Sequence, residues 1–215
     1  IDSQRVPVVR LTQIFRQAQG SRIIMNAHRI NQGALIDMRG GKESDFFFAS
    51  KTTNQEVVDT IVQYCKMNLP RYYHVDPFTD IQVLTPMQRG ECGAVHLNQV
   101  LQEAMNPSRI FLRRGGTQYR LKDKVMQIRN DYDKEVFNGD IGTITKVDME
   151  ERELTVLFDD REVVYDVTEL EELSLAYAVT IHKAQGSEYP IVVMPFTMSH
   201  FVMLQRNLLY TGVTR

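Results

Sequence analysis

Short apolar runs alternate with helical patterns along most of this chain, and this alternation constrains its fold more than any other feature. A run that is apolar without interruption is typical of a strand buried on both faces of a parallel sheet. Alternation of such strands with helices predicts an α/β domain built on a mostly parallel sheet. The predicted strands occupy residues 6–11, 46–49, 81–84, 175–181 and 191–194.

Three helices are predicted from their periodicity and from the residues that begin and end them. Ser21 precedes a helix that Gly33 ends, since serine favours the position before a helix and glycine the position after it. Thr53 and Glu56 have the spacing of a capping box and open a second helix. A third helix follows residues 81–84, with its apolar positions at Ala94, Leu97, Leu101 and Met105.

The pattern changes between residues 119 and 167, where no helical period is found. Asn138-Gly139 and Asp159-Asp160 are typical of turns between short strands. Several short strands in roughly 50 residues predict a small β-barrel inserted into the α/β domain. The predicted strands are residues 124–128, 142–147, 154–158 and 163–167. The predicted domain limits are 1–116 and 173–215 for the two parts of the α/β domain and 117–172 for the barrel.

Composition excludes some classes of protein. A chain of 215 residues can bury the core of one large domain, or of one domain with a small insert. No run approaches the roughly 18 apolar residues of a membrane span, so no membrane partner is predicted. Cys65 and Cys92 lack the spacing of a metal site and predict reduced thiols in a cytoplasmic protein. The start at Ile1, without a signal pattern, indicates the boundary of a fragment.

The charges are segregated along the chain. The net charge of −2 argues against a protein that coats nucleic acid over its whole surface. A basic stretch at residues 109–134 nevertheless precedes an acidic stretch at residues 148–172. A basic stretch of this kind is more often a solvated face than a nucleic-acid site. The sequence leaves open whether this one contacts nucleic acid.

The chain lacks a phosphate-binding loop of its own. Such a loop needs the pattern Gly-x-x-x-x-Gly-Lys-Ser/Thr, because its backbone amides and lysine hold the phosphates. Gly41 and Lys42 come nearest, but Glu43 follows them and Ile36 stands where the first glycine belongs. No apolar run ends in paired acids either. We therefore predict that the chain alone does not bind MgATP in the usual way.

Two segments at the ends of strands carry candidate phosphate-binding side chains. Arg16 follows Phe15, and a planar, permanently charged guanidinium suits phosphate oxygens while the ring suits adenine. The second segment passes from a strand into a helix, which is where α/β sheets bind anions. Thr85 is expected to hold a DNA phosphate there, with Gln88 or Arg89 in support. For each segment alone, a surface arginine or an ordinary strand–helix turn is at least as good an explanation.

Residues 180–188, Thr-Ile-His-Lys-Ala-Gln-Gly-Ser-Glu, form the most informative segment. Gly186 allows close approach of the backbone, and Glu188 is expected to accept from a ribose hydroxyl or to orient arginines. The last segment, residues 210–215, ends on Arg215, a second candidate for contact with a γ-phosphate. In the first of these segments, the side chains that donate to phosphate oxygens are Thr180, His182, Lys183 and Ser187.

These segments, in this order, resemble the C-terminal motor half of RecD-like superfamily 1 DNA helicases, the family of the exodeoxyribonuclease V alpha subunit. Residues 26–33 resemble that family as well, so the resemblance covers nearly the whole chain. It implies the second RecA-like domain of such a helicase, with an SH3-like β-barrel inserted before motif V. It also implies that the full-length protein uses ATP and Mg²⁺ and moves 5′ to 3′ along single-stranded DNA. No cofactor is expected in this chain alone.

The resemblance also implies roles for single residues. In the family, arginines of motifs IV and VI contact the γ-phosphate held by the first RecA-like domain, and these positions fall on Arg16 and Arg215. The candidate cofactor-binding residues are Phe15, Gly186 and Glu188. The motif V positions that contact single-stranded DNA fall on Thr180, His182, Lys183 and Ser187, and the barrel also lies along the DNA path. The implied partners are single-stranded DNA, the first RecA-like domain and other recombination or nuclease subunits.

Other functions stay open. The chain fits a non-catalytic DNA-binding or subunit-docking module that keeps the fold as a scaffold. It also fits an RNA helicase or a conjugative relaxase–helicase with similar motor motifs, or a barrel that binds a protein partner. Because the chain contains no first RecA-like domain and stops at motif VI, we expect no ATPase activity from it alone.

Overall fold

The computed structural model describes residues 20–41 and 43–215, and the chain divides into two compact units. One unit comprises residues 1–49 with Thr214, and the other comprises residues 50–213 with Arg215. The strand predicted at residues 6–11 lies outside the described residues.

Helix α1, Arg22–Gln32, belongs to the first unit and has the predicted ends. Ser21 begins it by accepting a hydrogen bond from an amide of the first turn, and Gly33 ends it in the left-handed region with φ 74°. Asn26 is buried and ties the helix to the segment that follows it. Its side chain donates to the Asp37 carbonyl at 3.0 Å and accepts from the Asp37 amide at 2.7 Å.

The prediction of a buried strand at residues 46–49 is wrong. These residues form no strand, and Phe47 and Phe48 are 57% and 55% exposed. The backbone of Phe46 is bonded locally instead, because Ser44 Oγ donates to its carbonyl at 2.7 Å and accepts from its amide at 3.2 Å. Such local bonds compete with a sheet ladder. Apolar character therefore was not enough to make this run a strand.

The second unit begins with helices, the first of which has the predicted cap. Thr53 and Glu56 form the capping box that opens the first of them. Most of the positions that the helical period turns inward are buried, among them Val58, Ile61, Cys65, Leu97 and Leu101. The elements are α2 (Asn54–Gln63), a π-helical turn (Tyr64–Asn68), α3 (Leu69–Tyr73) and α4 (Ala94–Met105).

The described residues form ten strands in three sheets. In chain order they are β1 (Ile81–Thr85), β2 (Phe111–Arg114), β3 (Thr117–Arg120), β4 (Lys124–Gln127), β5 (Ile141–Asp148), β6 (Glu153–Phe158), β7 (Arg161–Asp166), β8 (Leu173–Leu175), β9 (Ala178–Thr180) and β10 (Ile191–Val193). The parallel sheet has the order β10-β1-β9, and β1 pairs in parallel with both neighbours. The chain closes with a 3₁₀ turn, Met198–Met203, and helix α5, Arg206–Val213.

The predicted small β domain is a five-stranded antiparallel sheet with the order β7-β6-β5-β4-β8. Its first four strands along the chain match the four predicted ones, and Asp159-Asp160 makes the predicted turn because Phe158 pairs directly with Arg161. Asn138-Gly139 makes no tight hairpin, since it closes a longer connection, residues 128–140, between β4 and β5. The β2–β3 hairpin was not predicted from the sequence.

The single strand predicted at residues 175–181 is two strands in different sheets. Leu173–Leu175 completes the antiparallel sheet beside β4, and Ala178–Thr180 joins the parallel sheet beside β1. Ala176 and Tyr177, which connect them, are buried as well. The run is apolar throughout because it crosses the interior from one sheet to the other, and hydrophobicity alone does not mark that crossing.

A buried carboxylate joins the two sheets and helix α4. The Asp123 carboxylate accepts hydrogen bonds from Gln102 at 2.5 Å, Asn106 at 2.7 Å, Tyr177 at 2.8 Å and the Arg120 amide at 2.7 Å. Burial raises the pKa of Asp123, and these four donors oppose that rise. Two partners come from α4 and its C-cap, one from β3 and one from the β8–β9 connection, so the carboxylate fixes the relative positions of these elements.

Candidate functional site

Two of the predicted segments meet at one edge of the parallel sheet. Thr85, the last residue of β1, lies in register with Thr180, the last residue of β9. Carboxyl ends of parallel strands share one edge of a sheet, which is where α/β folds bind ligands. The loops that follow the two threonines are therefore neighbours, and both can contribute to a single site.

The loop after β9 is held by two buried side chains three residues apart. Ile181 and Ala184 are fully buried in a hydrophobic cluster that includes Leu208 of α5. The Thr180 carbonyl accepts from the amides of Lys183 at 2.9 Å and Ala184 at 3.2 Å, which winds the loop into successive turns. This winding leaves two of the predicted donors, His182 and Lys183, exposed together with Gln185 and Gly186.

The end of this loop depends on a left-handed residue. Gly186 has φ +91°, a conformation that L side chains rarely adopt, although a Cβ there would meet only open space. Ser187 is half-buried, and its amide donates to the Ala184 carbonyl at 3.2 Å. Glu188 is exposed. Glycine is therefore needed here for the path of the backbone, which presents Ser187 and Glu188 after the turn.

The loop after β1 presents Gln88 and Arg89 but not Thr85. Gln88 and Arg89 are exposed. Thr85 is fully buried, and its hydroxyl donates to the Cys92 carbonyl at 2.6 Å, so it closes the loop rather than facing solvent. Gly93, the N-cap of α4, packs so closely that a Cβ would lie under 3.0 Å from the Arg89 backbone. Thr85 and Gly93 together hold the two exposed side chains in place.

Arg215 lies beside the end of the loop that follows β9. Its carbonyl accepts from the Tyr189 amide at 2.9 Å, and its Nε donates to the Thr211 carbonyl at 3.2 Å. Burial raises the pKa of Tyr189, and the positive charge of Arg215 opposes that rise. The two segments at residues 180–188 and 210–215 are thus brought together.

Helix α5 and the loop after β9 also share a small pocket of about 80 Å³. His182 and Gln185 line it from the loop, and Asn207 and Thr211 line it from the helix. Its polar lining can donate and accept hydrogen bonds, and its volume accommodates water or a small polar group rather than a nucleotide.

Lys183 also has a partner that the sequence did not reveal. Its Nζ donates to Asn138 Oδ1 at 3.0 Å, which connects the loop after β9 with residues 128–140 of the antiparallel sheet. The sequence marks Asn138 only as a turn residue. It lies 45 residues from Lys183 along the chain. No local pattern carries such a pair, so only the folded chain identifies it.

The basic stretch at residues 109–134 does not form one continuous surface. Arg120 and Lys124 are buried inside the second unit. Arg114 and Arg129 both pair with Glu171, at 3.7 Å and 3.2 Å. The charges are dispersed because strands β2 to β4 turn successive side chains in different directions.

Phe15 and Arg16 lie outside the described residues, so their predicted roles rest on the sequence alone. Among residues 20–41 and 43–215, no helix is both long and apolar enough to cross a membrane.

Two families match parts of the chain. Residues 97–158 match the ATP-dependent RecD-like DNA helicase SH3 domain, and residues 175–215 match the UvrD-like helicase C-terminal domain. The ATP-dependent RecD2 DNA helicase of Deinococcus radiodurans is 37% identical over 99% of this chain. The RecBCD enzyme subunit RecD of Buchnera aphidicola is 22% identical, also over 99% of this chain. The chain spans 28% and 38% of the lengths of these two relatives.

A solved structure shares the fold. The crystal structure of Pif1 helicase from Bacteroides in complex with ADP-AlF3 and ssDNA superposes with a TM-score of 0.58 and 16% identity. The match covers 96% of this chain and 49% of that one. The fold is therefore that of a RecA-like helicase domain with an inserted SH3-like domain, which confirms the predicted fold class. More narrowly, the chain resembles RecD-like helicases over nearly its whole length, which confirms the resemblance predicted from the sequence motifs.

Proposed function

We propose that this chain is the second motor domain of an ATP-dependent DNA helicase that moves 5′ to 3′ on single-stranded DNA. The similarity to RecD-like helicases supports this proposal, as do the names of the Deinococcus and Buchnera relatives. The observation that carries it is the pairing of Thr85 with Thr180, which gathers two polar loops at one edge of the sheet. We keep the limits 1–116, 117–172 and 173–215, and a cytoplasmic location, as parts of the proposal.

The proposed DNA surface consists of exposed donors on the two loops. Lys183 and Arg89 supply positive charge for phosphate oxygens, and His182 and Gln88 supply further donors. Thr180 and Ser187 are half-buried at the two ends of the loop after β9, within reach of a strand that follows it. Thr85 acts on this surface indirectly, through the loop that its hydroxyl closes.

The proposed nucleotide side consists of Arg215, Arg16, Phe15, Gly186 and Glu188. Arg215 lies at the end of the motif V loop, so this side fits a contribution to a site that another domain completes. The sequence has no phosphate-binding loop, and ATP with Mg²⁺ would be held by the first RecA-like domain. Bound there, ATP supplies the energy of hydrolysis, and arginines from this chain would stabilise the charge that develops.

The test is single-stranded DNA binding by the 215-residue chain, measured by fluorescence anisotropy from low to moderate salt. We expect the logarithm of affinity to fall linearly with the logarithm of salt concentration, because neutralised phosphates release counterions. Lys183→Ala should weaken binding and reduce that slope by about 1, the share of one phosphate contact.

Lys66→Ala is the matched control, since Lys66 is an exposed lysine on the π-helical turn and should leave the slope unchanged. A chain that binds no DNA, or binds it without dependence on salt, would favour a docking scaffold instead. The name of the Buchnera relative, a subunit of the RecBCD enzyme, supports that second candidate. Comparison of DNA with RNA of the same sequence distinguishes a DNA helicase from an RNA helicase.

A further inference from the structure

Two exposed aromatic rings stand on the connection between β4 and β5. Tyr132 is 74% exposed and Phe137 is 44% exposed. Their ring centroids are 6.0 Å apart in an edge-to-face arrangement. Large apolar rings exposed side by side are unfavourable in water, and they are typical of surfaces that bind another molecule.

Backbone hydrogen bonds and one buried side chain fix the conformation of the loop that carries the rings. Asp131 and Val136 exchange two backbone hydrogen bonds, at 2.8 Å and 3.0 Å, and the Val136 side chain is fully buried. The Phe137 amide donates to Asp140 Oδ2 at 2.8 Å. The Asn138 amide donates to Asn130 Oδ1 at 2.9 Å. The rings are therefore presented by an ordered backbone, so little conformational entropy is lost when they bind a partner.

The rings lie next to the proposed DNA surface. Asn138 directly follows Phe137, and its side chain accepts the hydrogen bond from Lys183 Nζ at 3.0 Å. Lys183 is thus hydrogen-bonded to the residue that directly follows Phe137, so the proposed phosphate contact lies close to this ring. A strand whose phosphate contacts Lys183 would have its neighbouring bases beside these rings.

The acidic residues of the loop are mostly engaged within the protein. Asp131 Oδ1 accepts from the amides of Asp133 and Lys134, both at 3.0 Å. Glu135 accepts from Arg161 at 2.8 Å, and Asp140 accepts from the Phe137 amide. Their negative charge is partly compensated by these donors, which lowers the repulsion that a phosphate chain would meet.

We propose that Tyr132 and Phe137 form a stacking platform for bases of a single strand whose phosphate lies on Lys183. The proposal rests on the proposed function and extends its surface from the motif V loop onto the β4–β5 connection. Stacking suits this place because every base has a π-face, so the contact needs no particular sequence. The platform would hold bases while the lysine holds the backbone.

The test compares two fluorescent probes of equal length, an oligothymidylate and an abasic deoxyribose-phosphate strand, in anisotropy titrations of the 215-residue chain. The wild-type chain should prefer the strand with bases. Tyr132→Ala and Phe137→Ala should each weaken binding of that strand about five-fold to a hundred-fold, the share of one stacked base. Neither change should affect the abasic strand or the salt slope, whereas Lys183→Ala should weaken binding of both strands.

Tyr72→Ala is the matched control, because Tyr72 is 63% exposed and also forms an edge-to-face pair, with Tyr73. It should leave both titrations unchanged, and Tyr132→Phe should retain the preference for bases. Since the chain contains no tryptophan, Tyr132→Trp adds a single indole that can be excited apart from the tyrosines and that stacked bases should quench.

The outcomes separate the two proposals. If the wild-type chain binds neither strand, the proposed DNA surface fails and the platform fails with it. If it binds both strands equally, or if Tyr132→Ala and Phe137→Ala bind oligothymidylate as the wild type does, only the platform is overturned. The ring pair would then be assigned to contact with a protein.

Discussion

At the scale of single residues, the loop after β1 depends on a glycine that carries no chemistry. Gly93 lies against the backbone of Arg89, and a Cβ there would lie closer than 3.0 Å to it. Backbone cannot move aside as the end of a flexible side chain can, so the loop itself would have to shift. The positions of Gln88 and Arg89 on the proposed DNA surface therefore depend on a residue that does not touch it.

We expect Gly93→Ala to lower the free energy of unfolding by about 1–3 kcal/mol, the usual cost of forcing extra volume into a packed site. Urea unfolding followed by circular dichroism measures it. Gly116→Ala is the control, since a Cβ there meets nothing within 4 Å and should leave stability unchanged or slightly higher. Equal stability of Gly93→Ala and the wild type would contradict the close approach.

At the scale of elements, β4 buries a lysine against the parallel sheet. The Lys124 Nζ donates to the Ile81 carbonyl of β1 at 3.3 Å and lies within the unit. Burial lowers the pKa of Lys124 to about 8, while Cys65, Asp76 and Asp80 oppose that change. An amine that is charged at pH 7 is therefore held where water cannot solvate it well, and this destabilises the contact between β4 and β1.

This depressed pKa predicts how stability depends on pH. Between about pH 8 and the ordinary lysine value of 10.5, the unfolded chain binds more protons at this site than the folded chain. The contribution of Lys124 to stability therefore rises with pH across this window and is lost as pH falls through 8. We expect Lys124→Met to stabilise the chain by about 1–3 kcal/mol at pH 7, with the gain shrinking towards pH 10.5.

Urea titrations of both proteins across that range measure the difference, in which other groups such as the tyrosines largely cancel. A gain that stayed constant with pH would show that the lysine is solvated in the folded chain. A loss of stability at pH 7 would show that the hydrogen bond to Ile81 outweighs the burial of charge.

At the scale of the whole molecule, the helices of the second unit share a hydrophobic cluster with its inserted sheet. One hydrophobic cluster includes Val58 of α2, Leu97 of α4, Ile144 of β5 and Tyr165 of β7. The inserted antiparallel sheet is thus packed into the same core as the helices of the α/β part. Ile181 and Ala184 of the loop after β9 pack in a second cluster, which includes Met126 of β4. The β4–β5 connection, which follows β4, meets this loop where Asn138 accepts from Lys183.

We expect the site that this unit presents to be incomplete for ATP hydrolysis. We expect the 215-residue chain to release no phosphate from MgATP, with or without single-stranded DNA, because its sequence contains no phosphate-binding loop. A coupled phosphate-release assay measures this rate, with buffer alone as the blank and a known ATPase as the positive control. A Mg²⁺-dependent rate that Arg16→Ala abolishes would overturn the prediction.

Much of the fold could be predicted because its signals are local. Ser21 and Gly33 bound α1, Thr53 and Glu56 open α2, and alternation of apolar residues marks the strands of the antiparallel sheet. These patterns reflect hydrogen bonds and burial within a few residues of each other. The polar character of residues 180–188 could be recognised for the same reason, since donors and a glycine stand together in the sequence, and their contact with DNA stays a prediction.

What the sequence alone determined is thus most of the helices and strands, the resemblance to a family and the polar content of the loops. Only the tertiary structure decided that Thr85 is buried, that residues 173–180 divide between two sheets, and that Asn138 reaches Lys183. The physical reason is that burial and pairing depend on partners far along the chain. A residue's own neighbours do not specify which distant strand or loop the folded core will bring against it.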